Sequence, residues 1–194
     1  MEDHTSFCKN KLASALYALQ RVKFIIPQRQ RISLYYTLAY PHLIYGINLW
    51  GSTYLNCIQP ICTMQKKIIR SICNVDYNSH TNDLFIRLKI IKFNDVYKLE
   101  VLKFMYKYIN MSLPPNLQCM FTYVTDVHSR DTRNSTQKRF RPLLRGLRIQ
   151  ENSLLYNGPC LWNDLHKIIC TCKSIYTLKK QMCKFFLTSY ANQL

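Results

Sequence analysis

The residues best suited to chemistry in this sequence form a dense basic run in its second half. Seven cations fall within nineteen residues that hold a single acid, Asp131. They are Arg130, Arg133, Lys138, Arg139, Arg141, Arg145 and Arg148. Because the guanidinium fork matches two phosphate oxygens, this density indicates polyanion binding. Phe140 lies among the cations and is predicted to stack on an unpaired base. The alternative is a solvated basic loop without a defined ligand.

A second set of cations lies on predicted helices. Lys23, Lys66, Lys67 and Arg70 are the main candidates, and the same surface is predicted to include Lys9, Lys11, Arg21, Arg29 and Arg31. A basic helix face of this kind contacts phosphates and holds a nucleic acid in position without reading its sequence. A helix face that is merely soluble explains the pattern equally well.

Metal and nucleophile chemistry are both disfavoured by spacing. His166, Cys170, Cys172 and Cys183 lie close in sequence, but no histidine follows Cys172 and no second cysteine pair stands at zinc-finger spacing. No local sequence context activates a cysteine or histidine as a nucleophile. We therefore expect no catalytic residue, no metal site and no cofactor.

The composition predicts a folded, mainly helical protein with an anionic partner. The chain has 194 residues, 27 Lys plus Arg against 10 Asp plus Glu, and a net charge of +17. Hydrophobic residues make up 48% and aromatic residues 13%, which is too much apolar matter for a disordered chain. The 4 glycines and 7 prolines leave few tight turns for an all-β fold. A positive balance this strong predicts nucleic acid or an anionic membrane surface as the partner.

The nine cysteines and the absence of a secretory signal predict reduced thiols inside a cell. Between Arg31 and Lys66 the chain has no charged residue, which raises the possibility of a membrane span. That run contains prolines, glycines and several polar residues, and lacks about 18 consecutive apolar residues. We therefore interpret it as a buried helical core and disfavour a membrane partner.

Apolar residues at three- and four-residue spacing predict a succession of helices up to residue 109. The predicted helices are 7–26, 27–41, a short one ending at Trp50, 54–73, one capped by Thr81 that ends at Leu88, and one capped by Asn94 that ends at Ile109. Tyr35, Tyr40, Tyr45 and Trp50 are interleaved with apolar residues, so we interpret all four as core.

The periodicity fails between residues 121 and 158 and then returns. We predict an irregular basic arm there, with a short hairpin around Gly146, followed by a C-terminal helix that Ser174 caps. The predicted fold is mainly α, with a thumb-like helical bundle over 1–118, the arm over 119–158, and a C-terminal motif and helix over 159–194.

Four segments of the chain resemble one protein family. They are LYYTLAYPHLIYGINLWGSTY from Leu34, the helical stretch from Gln65 to Pro115, HSRDTR from His128, and GPCLWNDL from Gly158 with LKKQMCKFFLTSY behind it. In order, these resemble the region after the palm in reverse transcriptases of jockey-like non-LTR retrotransposons. Two positions depart from the family pattern, since His166 stands where proline is usual and Leu178 where an aromatic residue is usual.

The resemblance implies the thumb and C-terminal extension of an RNA-directed DNA polymerase. Its catalysis depends on palm aspartates, which include an adjacent pair that binds two metal ions, and this chain contains no Asp-Asp. We therefore expect a non-catalytic chain that binds RNA or DNA next to an upstream palm, in the nucleus rather than the cytoplasm. The alternatives are a stand-alone nucleic-acid-binding module from a truncated element copy and a small basic membrane protein.

Overall fold

The computed structural model describes residues 2–126, 139–143 and 148–192, and the described chain is mainly helical, as predicted. The helices are α1 Glu2–Val22, α2 Gln28–Leu34, a π-helical segment Tyr35–Ala39, α3 Tyr40–Ile44, α4 Ile47–Trp50, α5 Leu55–Cys73, α6 Asn82–Leu88, α7 Phe93–Ile109, α8 Arg148–Glu151, α9 Leu154–Ile169 and α10 Ile175–Ala191. Short 3-10 turns cover Pro115–Leu117 and Val124–Asp126. Within these described ranges, no helix is both long and apolar enough to cross a membrane.

The chain divides into two compact units. Unit 1 comprises Met1–Tyr97 with Cys183–Leu194, and unit 2 comprises Lys98–Met182. The division falls within α7 and α10, so each of these helices contributes residues to both units. It differs from the three sequence segments predicted above, and the predicted boundary at residues 158 and 159 falls inside α9.

The core of unit 1 is built where α1 packs against α5. Leu12, Ala15 and Leu19 form a buried stripe on α1, because residues at this spacing share one helix face. The buried face of α5 comprises Ile58, Ile61, Gln65, Ile68, Ile69 and Ile72. Helix α1 ends at Val22 rather than at the predicted residue 26, and Phe24 and Ile25 beyond it are each 78% exposed. The apolar pattern therefore continues past the end of the helix.

Gln65 is a buried amide with every polar atom engaged. Its Nε2 donates to the Tyr35 hydroxyl and to the Ile91 carbonyl, each at 3.0 Å, and its Oε1 accepts from the Phe93 backbone N–H at 2.8 Å. A satisfied polar network of this kind fixes the chain entering α7. Helix α7 begins at Phe93, so the prediction that Asn94 caps it is wrong. Asn94 instead accepts a weak bond from the Cys62 thiol at 3.7 Å.

The segment around Trp50 makes close contacts that the spacing of its apolar residues does not predict. Trp50 is buried and donates from Nε1 to the Tyr45 carbonyl at 2.8 Å, across Gly46, which has φ of 60°. A Cβ at Gly51 would lie 2.5 Å from the Tyr97 ring, so the close approach requires glycine. Tyr35 and Trp50 are core residues as predicted, but Tyr45 is 74% exposed, so its assignment to the core is wrong. Its backbone carbonyl accepts the Trp50 bond, and its ring centroid lies 6.2 Å from that of His4.

Helix α10 is capped as predicted and ends in a buried tyrosine. The Ser174 hydroxyl accepts from the Thr177 N–H at 3.2 Å, and Thr177 Oγ1 accepts from the Ser174 N–H at 3.0 Å. Within unit 1, the buried Tyr190 hydroxyl donates to the Asp95 carboxylate and accepts from the Lys92 backbone N–H at 3.0 Å. These contacts tie the end of α10 to the first turn of α7.

The core of unit 2 is an aromatic cluster. Its members are Tyr108, Phe121, Tyr123, Phe140 and Trp162, with neighbouring ring centroids between 4.6 and 6.2 Å apart. The Asn163 side chain accepts from the Phe140 N–H at 3.1 Å and donates to the Phe140 carbonyl at 2.8 Å, which satisfies both polar groups of that residue. The hairpin predicted around Gly146 lies outside the described residues.

Candidate nucleic-acid interface

Three of the predicted helical cations line one cleft in unit 1. Lys67 and Arg70 project from α5, and Lys23 follows the end of α1. The cleft has a volume of about 430 Å³, and its lining residues are Leu16, Gln20, Lys23, Lys67, Arg70, Ser71, Val75, Asp76 and Tyr77. Lys67 and Arg70 share a helix face because they are three residues apart. We call this feature the basic cleft.

The loop that closes the basic cleft is set by how α5 ends. Asn74 takes the left-handed conformation, with φ of 54°, and its N–H donates to the Ser71 carbonyl at 3.3 Å. The Val75 N–H donates to the Arg70 carbonyl at 3.2 Å. These paired bonds form a Schellman motif, which stops the helix and reverses the chain. The residues that follow are thereby directed back along α5.

Arg70 fastens this loop to the helix. Its Nε donates to the Ser79 carbonyl at 2.9 Å, and the Ser79 N–H donates to the Asp76 carbonyl at 3.1 Å, closing a turn over residues 76–79. This bond uses the Nε donor of the guanidinium, which carries four further N–H donors on its two terminal nitrogens. Arg70 therefore both positions the loop and contributes positive charge to the cleft.

Tyr77 stands at the rim of the basic cleft beside two cations. The Lys67 Nζ lies 5.5 Å from its ring centroid and the Arg70 Cζ lies 5.7 Å from it, both within cation–π range. The side chain is nevertheless 67% exposed. The cleft thus joins fixed positive charge to an accessible aromatic ring.

The electrostatic character of the basic cleft is strongly positive. Over residues 2–126, 139–143 and 148–192, neither Lys23, Lys67 nor Arg70 forms an ion pair with a carboxylate. Asp76 contributes the acidic group to the lining, and its carboxylate opposes anion binding there. Three cations against one carboxylate leave a local excess that attracts phosphate.

The remaining helical candidates do not join this cleft. Lys66 is exposed on α5 and lies near Lys92, whose pKa is lowered by burial and, to a smaller extent, by Lys66. Arg31 is buried at 8% exposure, and its Nη1 donates to the Ser71 carbonyl at 3.3 Å. The prediction that Arg31 belongs to a binding surface is therefore wrong, because its guanidinium serves the last turn of α5.

Of the arm predicted over 119–158, residues 119–126, 139–143 and 148–158 are described. An antiparallel bridge joins Phe140 to Tyr123, with the Arg141 N–H donating to the Thr122 carbonyl at 2.9 Å and the Val124 N–H donating to the Arg139 carbonyl at 3.0 Å. Side chains alternate along an extended chain, so Phe140 enters the core while Arg139 and Arg141 are half-buried on either side. Phe140 has no exposed surface, so its predicted stacking on a base is wrong.

The predicted arm contains five cations besides Arg139 and Arg141. Arg130, Arg133, Lys138 and Arg145 lie outside the described residues, and Arg148 begins α8 with a side chain outside the description. Arg141 also lines a second cleft of about 360 Å³ in unit 2, with Thr122, Pro142, Leu143 and Gln150. A single described cation faces that cleft.

Within the described ranges, cysteine and histidine side chains meet at two places, both at helical spacing. Cys8 Sγ lies 3.5 Å from His4 Nε2, and burial raises the pKa of the Cys8 thiol, which opposes formation of the nucleophilic thiolate. Cys170 Sγ lies 3.3 Å from His166 Nε2, whereas Cys172 turns away to contact Gln181 Oε1 at 2.9 Å. In the described part of the chain, no three His, Cys, Asp or Glu side chains converge to hold a metal ion.

Tyr77 is not among the residues predicted above to bind nucleic acid, because the helical spacing that predicts α5 carries no information about the loop after it. The available signal was one aromatic residue in a mostly polar loop directly after a basic helix end.

Comparison of the chain with protein-family models, with curated proteins and with solved structures gave no match.

Proposed function

We propose that this chain is a non-catalytic nucleic-acid-binding protein that holds its ligand through phosphate contacts in the basic cleft. The observation that carries the proposal is the convergence of Lys23, Lys67 and Arg70 on one cleft of a chain with net charge +17. Cations placed in this way neutralise phosphates and release condensed counterions, which favours binding without regard to base sequence.

The family resemblance supplies the cellular setting of this proposal. In that setting the chain acts as the thumb and C-terminal extension of a non-LTR retrotransposon RNA-directed DNA polymerase, holds template and primer beside an upstream palm, and works in the nucleus. The isolated chain is expected to incorporate no nucleotide on a primed RNA template with Mg²⁺ or Mn²⁺. Incorporation above a no-protein control, lost on replacing an aspartate of this chain, would contradict the non-catalytic role.

The decisive experiment measures binding of the whole chain to labelled nucleic acid by fluorescence anisotropy at several salt concentrations. The test variant combines Lys23→Ala, Lys67→Ala and Arg70→Gln, in which glutamine keeps an N–H donor for the Ser79 carbonyl. Log K falls as log salt rises, and removing three phosphate contacts is expected to reduce the magnitude of this slope by about 2 to 3.

The matched control removes the same charge elsewhere. Arg87, Lys179 and Lys180 are exposed and lie outside the basic cleft, so their joint replacement by alanine is expected to change the slope much less. Equal losses in the two triple variants would show that binding depends on net charge and not on the cleft. No loss in the cleft variant would overturn the proposed function.

A further inference from the structure

The basic cleft combines two features that a phosphate-binding surface alone does not need together. One is the set of cations on α5 and after α1, and the other is the accessible ring of Tyr77 at their edge. Tyr77 is 67% exposed although it stands beside Lys67 and Arg70. A large aromatic side chain held at the surface next to phosphate-binding cations is the arrangement that single-strand binders use to stack a base.

The loop geometry fixes the backbone that carries this ring. The Schellman motif at Asn74 turns the chain, and the bond from Arg70 Nε to the Ser79 carbonyl at 2.9 Å anchors the far side of the loop. Tyr77 lies between these two fixed points. Because the loop backbone is already ordered before a ligand binds, less conformational entropy is lost when a base stacks on the ring, so the loop is suited to this contact.

The size of the cleft and the position of the ring favour an unpaired strand. A volume of about 430 Å³ is in the range that accommodates a ligand the size of a nucleotide. In a duplex, both faces of each internal base are already stacked on neighbouring bases, so a surface ring cannot reach one without extruding it. A single strand presents its base faces and its phosphates together.

We propose that the basic cleft binds a single-stranded segment of nucleic acid, with one unpaired base stacked on Tyr77 and adjoining phosphates on Lys23, Lys67 and Arg70. This inference rests on the proposed function and specifies its ligand. The stacking contact is indifferent to base identity because every base has a π-face, so RNA and DNA single strands are both ligands.

The test compares two single-stranded probes of equal length and charge. One is an oligothymidylate and the other is an abasic oligodeoxynucleotide, which keeps the phosphates and lacks the bases. The parent chain is expected to bind the base-bearing probe about 5- to 100-fold more tightly than the abasic probe. Tyr77→Leu removes the aromatic face and is expected to abolish this preference, whereas Tyr77→Phe retains it. An oligouridylate probe is expected to behave as the oligothymidylate does.

The outcomes separate this inference from the proposed function. If the cleft triple variant weakens binding of both probes while Tyr77→Leu leaves the preference intact, phosphate binding stands and base stacking is overturned. If Tyr77→Leu weakens both probes equally, the ring acts only by positioning cations, which also overturns stacking. Photo-crosslinking of a 4-thiouridine strand gives a second readout, and the supporting result is a crosslinked peptide that contains Tyr77. A crosslink confined to other peptides overturns the inference.

Discussion

The basic cleft of unit 1 and the described arm of unit 2 pair cations with an aromatic residue in opposite ways. In the cleft, Lys67 and Arg70 lie beside Tyr77, and the ring is 67% exposed. In the arm, Arg139 and Arg141 flank Phe140, which has no exposed surface. Similar composition therefore produces an accessible ring in one region and a core residue in the other.

The difference follows from the backbone partners available to each segment. Residues 139–141 pair with residues 122–124, and Asn163 satisfies both backbone groups of Phe140, so this residue can be buried without losing hydrogen bonds. The loop that carries Tyr77 is a reversal after a helix, and the residues on either side of this tyrosine, Asp76 and Asn78, are polar and exposed. The ring stays 67% exposed there.

Replacing each aromatic side chain with alanine tests this difference between the two regions. Phe140→Ala removes a fully buried ring from the aromatic cluster of unit 2 and is expected to lower the free energy of unfolding by about 3 to 5 kcal/mol. Tyr77→Ala removes a largely exposed ring, and a change within about 0.5 kcal/mol is expected. Circular dichroism melts and urea titrations measure both.

Trp162→Ala provides a control for the same cluster. Its ring centroid lies 6.2 Å from that of Phe140, so we expect a loss of stability comparable to that of Phe140→Ala, with the two effects not additive in the double variant. A stable Phe140→Ala protein with impaired nucleic-acid binding would restore Phe140 as a binding residue and remove the contrast between the regions.

The second prediction concerns the clamp that allows Phe140 to be buried. Asn163→Ala leaves the Phe140 N–H and carbonyl without their partner and is expected to cost about 1 to 3 kcal/mol. Asn163→Asp keeps an acceptor for the N–H and loses the donor to the carbonyl unless its carboxyl group is protonated, so the stability difference between Asn163→Asp and the parent chain is expected to depend on pH, whereas the difference between Asn163→Ala and the parent stays constant. Equal stability of all three proteins would show that the clamp contributes nothing.

The elements were predictable from the sequence because helical periodicity is a local property. The stripe of α1, the buried face of α5 and the Ser174 cap each depend on residues a few positions apart. The core was less accessible because it depends on contacts between distant segments. The roles of Asn163 and Tyr190 are of this kind, since their partners lie 23 and 95 residues away.

The candidate site was predictable only as a list of cations. The three-residue spacing placed Lys67 and Arg70 on one face of α5. It could not show that the Arg31 guanidinium is buried and donates a hydrogen bond to the Ser71 carbonyl. Nor could it show that the loop after α5 folds back with Tyr77. The first depends on the packing of α2 against α5, and the second on the path of the chain after Asn74, and helical spacing reveals neither of them.

The third prediction uses two buried tyrosines of unit 1, Tyr35 and Tyr190. Burial is the main cause that raises the pKa of each above its ordinary value of 10.0, and the bond to Asp95 raises that of Tyr190 further. In the unfolded chain these groups ionise near pH 10, so the unfolded state binds fewer protons than the folded state above that pH. Stability is therefore full below about pH 10 and falls as the pH rises through the folded pKa values.

Urea titrations between about pH 9 and 11 test this expectation. Tyr35 alone is expected to contribute a fall of at most about 1.4 kcal/mol per pH unit. Tyr35→Phe and Tyr190→Phe are each expected to flatten the alkaline loss relative to the parent chain. Tyr77→Phe is the matched control, because this ring is largely exposed in the folded chain. A parent chain whose stability is constant over this range would contradict the buried, protonated state of both tyrosines.

The smallest expected effect concerns binding by the arm. Replacing Arg139, Arg141 and Arg145 together with alanine removes three cations, the same number as the cleft variant. The aromatic residue between Arg139 and Arg141 is Phe140, whose ring is buried in the core and is not accessible to a base. We therefore expect the arm variant to reduce the magnitude of the slope of log K against log salt by no more than about 2 to 3. We also expect it to lose less affinity for a base-bearing strand than the cleft variant does.

The arm variant is expected to keep the helical content and melting temperature of the parent, since Arg139 and Arg141 lie at partly exposed positions, where substitutions change stability little. Its preference for oligothymidylate over the abasic probe should also persist, because that preference belongs to Tyr77. If the arm variant unfolds, these arginines support the fold and do not serve binding. If it loses more affinity than the cleft variant while remaining folded, the principal binding surface lies on the arm, because exposed charge there would then outweigh the ring and cations of the cleft.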